Sequence, residues 1–209
     1  MPNTQKIIAH CIIHQNTIYK NGDCVFESKE SDAGDFLLAA YKELALNYPR
    51  FYKIDNLGKL GILATEILLK NSFNKEQFKP YETAVVLSNA SASLDTDIKY
   101  YETVANIASP ALFVYTLPNV VIGEICIKHG FKGENAFFIF DNFDEAFTEQ
   151  YVNNLFETAE IKACICGWLE LMNEEYKAVL FLVQRSEDDL VDFTKENIYK
   201  IYQTANGKI

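Results

Sequence analysis

The chain has 209 residues, 49% of them hydrophobic and 13% aromatic, which excludes a disordered polymer and leaves ample material for a packed core. Its 29 acidic and 19 basic residues give a formal charge of −10, which excludes the basic footprint of a nucleic-acid binder and disfavours anionic lipid surfaces. No secretory pattern or membrane-length apolar run stands out, and five cysteines without paired spacing suit a reducing compartment, so the sequence reads as cytoplasmic.

In chain order, "KIIAHCII" (6–13) is rich in β-branched residues and reads as a strand. "TIYK" and "DCVFES", separated by Asn21-Gly22, read as a small hairpin. Residues 32–48 have helical spacing up to Pro49. A second helix is expected over 55–71, capped by Asp55, with Leu57, Leu60, Leu63, Ile67 and Leu68 as its apolar stripe. "TAVVLS" (83–88) is a buried strand, and Ser93 is placed to cap the helix after it. Pro110 and Pro118 bracket a loop, and "NVVIGEICIKH" (119–129) is a buried helix that Gly130 ends in the left-handed conformation. A greasy strand over 136–140, a helix over 144–159, a hairpin of strands at 161–171 and 176–183, and a helix over 188–204 complete the pattern. Strands and helices alternate without a Pro/Gly/Ser-rich linker, which predicts one α/β domain spanning 1–209 with a mixed, five-stranded sheet covered by helices.

The strand over 136–140 ends at Asp141-Asn142, where a helix pattern begins; such a junction is a place to mount a nucleophile. Asn142, with Glu145 three residues on, also fits a capping box, which would give these two residues a purely structural role. Cys11, Cys126, Cys164 and Cys166 lie in apolar segments and read as small core residues. Cys24 sits in a loop. His10 and His14 share a strand face at a spacing too wide for one metal, and His129 stands at a helix end where it meets the helix dipole. No metal or cofactor is expected. "SNASAS" (88–93) lacks the glycines and lysine of a phosphate loop. The acidic run around 187–192 reads as a solvated helix face.

The stretch "TLPNVVIGEICIKHGFKGEN" (116–135) resembles the β-ketoacyl synthases of the thiolase fold. Pro118-Asn119, Gly123, Ile125, Ile127, Lys128, Gly130-Phe131, Gly133 and Asn135 match the family pattern, with Glu134 in place of its usual proline. "SPALFVYTLPN" and "PRFYKIDNLGKLGILATEILL" (49–69) are similar to two other segments of the same enzymes, in the same order. The resemblance implies a single thiolase-type repeat, whereas the full enzymes join two. It places the family's nucleophilic Cys nine residues after Gly133, on Asn142, or on Asp141 with a one-residue slip. An amide cannot form the acyl thioester that condensation requires. The family's two catalytic histidines come from the second repeat, and this chain has no histidine beyond His129. The resemblance therefore implies a non-catalytic, ketosynthase-like subunit of a fatty-acid, polyketide or aryl-polyene type condensing system, comparable to a chain-length factor. Two alternatives stand beside it: half of a split β-ketoacyl synthase with residual acyl transfer or decarboxylation, and an acyl-chain binding module. The same family places the strand Ala136, Phe137, Phe138, Ile139 and Phe140 at the sheet edge, paired with its twin. This implies an obligate dimer: a homodimer, or a heterodimer with a complete ketosynthase, with at most indirect contact to an acyl carrier protein. Glu174, in the predicted hairpin loop, is taken as a position remote from that interface.

Overall fold

The computed structural model describes residues 4–29 and 32–204. Eight strands form one mixed sheet: β1 (Thr4–His14), β2 (Thr17–Lys20), β3 (Asp23–Glu27), β4 (Thr83–Asn89), β5 (Asn135–Ile139), β6 (Ala163–Met172), β7 (Glu175–Ser186) and β8 (Val191–Asp192). The order across the sheet is β3-β2-β1-β7-β6-β4-β5, with β8 beside β1. Strands β5, β4 and β6 run parallel, while β7 is antiparallel to both β6 and β1. The five long strands are those expected from sequence; the hairpin β2–β3 and the short β8 extend the sheet from five strands to eight.

The chain leaves β4 outward to β5 and then crosses back over β4 to β6. Helices α1 (Ala33–Glu43), α2 (Asn56–Leu69) and α5 (Val120–His129) cover one face. Helices α6 (Glu145–Thr158) and α7 (Lys195–Thr204) cover the other. Two short helices, α3 (Leu94–Val104) and α4 (Pro110–Phe113), form an excursion between β4 and α5.

Strand periodicity sorts the two cores. Ile165, Leu169 and Leu171 of β6 join the α2 side, whereas Cys164, Cys166 and Trp168 join the α6 side. A bulge in β1 lets Ile7 serve one face and Ala9 the other, which strict alternation forbids. The leucine-rich α2 is buried almost all round, including Leu60, Leu63 and Leu68, because it lies between the sheet and its neighbours α1 and α5. Asp55 caps it by accepting the Gly58 N–H at 2.9 Å, as its sequence position predicts.

Two boundaries differ from the sequence reading. Helix α1 ends at Glu43, well before Pro49, because Ala45 turns left-handed (φ 50°); Pro49 instead opens a separate 3₁₀ turn. The last helix starts at Lys195, because Val191 and Asp192 pair with Ile7 and Lys6 as an edge strand. The acidic run at 187–192 is therefore not a helix face.

Candidate functional site

The resemblance-bearing residues turn out to hold the scaffold. Glu124 of α5 is buried, and its carboxylate accepts from Arg50 Nη2 and from Tyr48 Oη, each at 2.6 Å. Burial first, then the bond to Glu124, pushes the Tyr48 phenol up to about 12, so it stays a donor at any ordinary pH. Asp55 caps α2 with one carboxylate oxygen and accepts the Thr96 hydroxyl with the other at 2.7 Å. Gly130 supplies the left-handed end of α5 (φ 72°). At Gly133 a Cβ would lie 2.3 Å from the Thr83 carbonyl oxygen, so only glycine lets this turn cross the start of β4. Glu134, where the family carries proline, contributes a backbone carbonyl that accepts the Val85 N–H, a role any residue fills.

Where the resemblance puts the family's nucleophile, Phe140 N–H donates to the Asn89 carbonyl at 3.0 Å, and the chain then bends through exposed Asp141 and Asn142. Phe143 turns inward, its ring 5.9 Å from Trp168 and 4.9 Å from Tyr202. Burying Phe143 delays the helix. The cap of α6 is consequently Asp144, which accepts the Phe147 N–H at 2.8 Å, and not Asn142. The greasy strand thus runs out into an amide on an exposed bend, with three aromatic rings packed behind it.

The histidines and cysteines lie elsewhere. His10 and His14 are on β1, four strand spacings from β5, about 19 Å. His129 ends α5, where Nε2 faces Glu66 Oε1 at 3.0 Å and the ring stacks on Phe131. Burial lifts the Cys11 thiol to about 12 and the Cys126 thiol to about 11, and Cys166 is raised as well, so these sulfurs are neutral core atoms. Among the described residues, no three His, Cys, Asp or Glu side chains cluster as metal ligands.

A cleft of about 830 Å³ opens at the carboxyl ends of β4 and β6, lined by His14, Trp168, Glu170, Met172, Tyr176 and Lys177 among others. Sequence reasoning missed it, because its walls come from four separate segments. Glu170 Oε2 accepts from the N–H groups of Ala90 (2.6 Å) and Ser91 (3.3 Å). The loop "SNASAS" therefore spends those donors on an internal carboxylate and does not offer them to phosphate. Burial lowers Lys177 to about 8, while its ammonium stands 3.7 Å from the Tyr202 ring centre, a contact that favours the charged form.

Strand β5 is the outermost strand on its side of the sheet. Val85 N–H donates to the Glu134 carbonyl and Phe140 N–H to the Asn89 carbonyl, which fixes the parity of the ladder: residues 136 and 138 bond inward to β4. The backbone groups of Asn135, Phe137 and Ile139 consequently face the open edge. Phe138 and Phe140 join Phe147 and Tyr151 of α6 in a half-buried ring cluster, with centroid separations of 4.8 to 5.9 Å. Phe137 packs against the opposite core, and Ala136 is half-buried. Glu174 is not an inert loop position: Oε2 accepts the Ala33 N–H at 2.7 Å, at the first turn of α1.

No protein-family model and no curated protein matches the sequence. Among solved structures, the chain is similar to the ishigamide ketosynthase/chain length factor (TM-score 0.62, 15% identity, 90% of this chain and 64% of that one). It is similar to a chain of the type II polyketide complex AntDE:AntF, an acyl-carrier protein with its ketosynthase bound to the hexaketide (TM-score 0.60, 13% identity, 90% and 64%). It also matches a chain of the ketosynthase ApeO in complex with its chain length factor ApeC from Xenorhabdus doucetiae (TM-score 0.59, 11% identity, 98% of this chain and 92% of that one). The chain spans 64% of the length of the first two. At such identities the likeness speaks for architecture: this chain has the thiolase-type fold of the β-ketoacyl synthases and their chain length factors.

Proposed function

We propose that this protein is a non-catalytic, ketosynthase-like subunit that assembles with a condensing enzyme through the β5 edge. The observation that carries the reading is the exposed bend at Asp141-Asn142, where the resemblance puts the family's nucleophile and this chain has an amide. The aromatic packing of Phe143, Trp168 and Tyr202 behind that bend, the four strand spacings to His10 and His14, and the contact of His129 with Glu66 support the same reading. A carboxamide cannot accept an acyl group as a thioester, which removes the covalent step of condensation.

The β5 edge supports pairing with another strand. Ala136 to Phe140 offer no charge or proline to blunt it. In an antiparallel two-fold pair centred on Phe137, Asn135 of one copy stands opposite Ile139 of the other, so every outward N–H and C=O finds a partner. The same register brings Lys132 of one copy near Asp141 of the other. A complete ketosynthase offering an equivalent edge would use the same donors.

The test combines mass and turnover. The purified chain alone, given malonyl- and acyl-carrier substrates, is expected to yield no ketoacyl product and to run as a dimer in light scattering at micromolar concentration. With a complete ketosynthase of the same condensing system it is expected to form a one-to-one complex. Ketoacyl product from the isolated chain that Asn142→Ala abolishes would overturn the non-catalytic reading. A monomer that also ignores the ketosynthase would overturn the edge.

A further inference from the structure

The cleft at the carboxyl ends of β4 and β6 contains a row of three ionisable side chains that the subunit reading does not use. Lys177 of β7 stands opposite Glu170 of β6 on one side and His14 of β1 on the other. Each lies two residues from Val179, Trp168 or Ile12, so all three share the face that packs on α6. Asn21 N–H donates to the His10 carbonyl at 3.0 Å, so the even-numbered residues at this end of β1 bond to β2. His14 therefore meets Lys177 as a non-hydrogen-bonded pair, with Cα atoms about 4.5 Å apart and side chains adjacent. His14 Nδ1 lies 3.4 Å from the Tyr176 carbonyl oxygen. That oxygen only accepts, so the neutral ring keeps its proton on Nδ1 and presents Nε2 as a base. On the other side, Glu170 Oε2 accepts from Ala90 and Ser91, while Oε1 is buried and meets no donor. Burial lowers the Lys177 amine to about 8, so about one chain in ten carries it neutral at pH 7. The ordinary value of about 10.4 leaves fewer than about one in a thousand neutral.

We propose that Lys177 forms an imine with an aldehyde or ketone admitted to this cleft. The inference goes beyond the subunit reading and does not depend on it. The step balances without a co-reactant: the ammonium and the carbonyl compound give a protonated imine and one water. His14 Nε2 takes a proton from the ammonium, and the nitrogen lone pair bonds to the carbonyl carbon. The oxygen then collects two protons, one from the nitrogen and one returned by His14, and leaves as water while the C=N bond forms. Two observations favour an imine over transfer of an acyl group to the same amine. A protonated imine keeps the positive charge that the Tyr202 ring, 3.7 Å away, stabilises, whereas an amide would discard it. Glu170 Oε1, an acceptor without a donor, suits the hydroxyl of the carbinolamine formed midway. The volume of about 830 Å³ and the side chains of Trp168 and Met172 suit a carbonyl compound with an apolar arm.

The experiment is reductive trapping on the full chain. Butanal with cyanoborohydride fixes an imine as a secondary amine, and peptide mass mapping reads the labelling of each lysine. Lys177 is expected to label about tenfold or more faster than Lys195 and Lys200, which are exposed. Its rate should saturate with butanal concentration and rise with pH through about 8. The titratable groups around the amine are His14 from β1, Glu170 from β6, Glu174, Glu175 and Tyr176 of the hairpin, and Tyr202 from α7. The wild type keeps all of them, so the comparison among its own lysines does not depend on a variant that folds. His14→Gln is expected to slow the labelling of Lys177 about tenfold or more. Labelling of Lys177 at the pace of Lys195 and Lys200 overturns the proposal. Fast labelling that stays linear in butanal also overturns it, because it marks a reactive amine without a binding cleft. An unchanged rate in His14→Gln overturns the route given to the proton.

Discussion

Helices α2 and α3 turn their apolar residues opposite ways, and the contrast separates the packed scaffold from the open surface. Helix α2 buries Leu60, Leu63 and Leu68 between sheet and helices, and its one capping carboxylate is tied to Thr96. Helix α3 buries Asp95 and Thr96 and turns Ile98 and Tyr101 outward. The first helix belongs to the resemblance with the condensing enzymes and explains it structurally. The second belongs to the open surface, along with the β5 edge and the bend at Asn142. A sequence likeness carried by scaffold residues, such as Arg50, Asp55, Gly130 and Gly133, therefore identifies an architecture without transferring a reaction.

The comparison breaks most easily in α2. Leu63→Ala removes a fully buried side chain and is expected to cost about 2–5 kcal/mol in urea unfolding. Next comes the acid beneath α5: Arg50→Ala leaves the Glu124 carboxylate with Tyr48 alone, at a cost of about 2–3 kcal/mol. Glu124→Gln should recover part of that loss in the double variant, because a neutral amide needs no guanidinium; an additive cycle would show that the pair is not coupled.

A smaller effect sits at Glu66. Burial pushes its carboxyl up, but the His129 ring and Lys128 at 3.5 Å outweigh burial and bring it below its ordinary value. A depressed folded value means the contribution is present above the unfolded value, about 4.3, and is lost as pH falls through the folded one. The melting temperature should therefore drop more steeply with acid in the wild type than in His129→Gln. Smallest is the outward stripe. Tyr101→Ser in the isolated chain should stay within about 0.5 kcal/mol of wild type, which contrasts directly with Leu63. Assembly responds in the opposite order: Phe138→Lys is expected to abolish the complex, and Glu43→Lys, exposed at the end of α1, to leave it intact.

Periodicity made α2 legible, and β4, β6 and β7 were legible as nearly unbroken apolar runs, because helices cover both of their faces. The orientation of α3 was not legible. Leu94, Ile98 and Tyr101 spell the same stripe that a buried face would, and only the partners of Asp95 and Thr96, at Asn173 and Asp55, reveal that it points outward. The cluster of Tyr48, Arg50 and Glu124 was hidden for a similar reason, since its members meet across more than seventy residues. Spacing from Gly133 singled out Asn142, yet the capping role expected there lies two residues on. Burial of Phe143 against Trp168 and Tyr202, which no local rule foretells, moves the helix start to Asp144.

The pairing of β1 with β7 sets the order in which this molecule can come together. Thr4 lies opposite Ser186, so the first long strand has only the β2 hairpin beside it until nearly the last long strand has been made. At about 5–20 residues per second, the apolar run Ile7 to Ile13 waits roughly 10–40 s for its main neighbour. So high a contact order makes folding slow. During synthesis the protein is a chain with an open apolar ribbon, and a chaperone that holds the first strands until β7 appears would raise its yield more than any change in final stability.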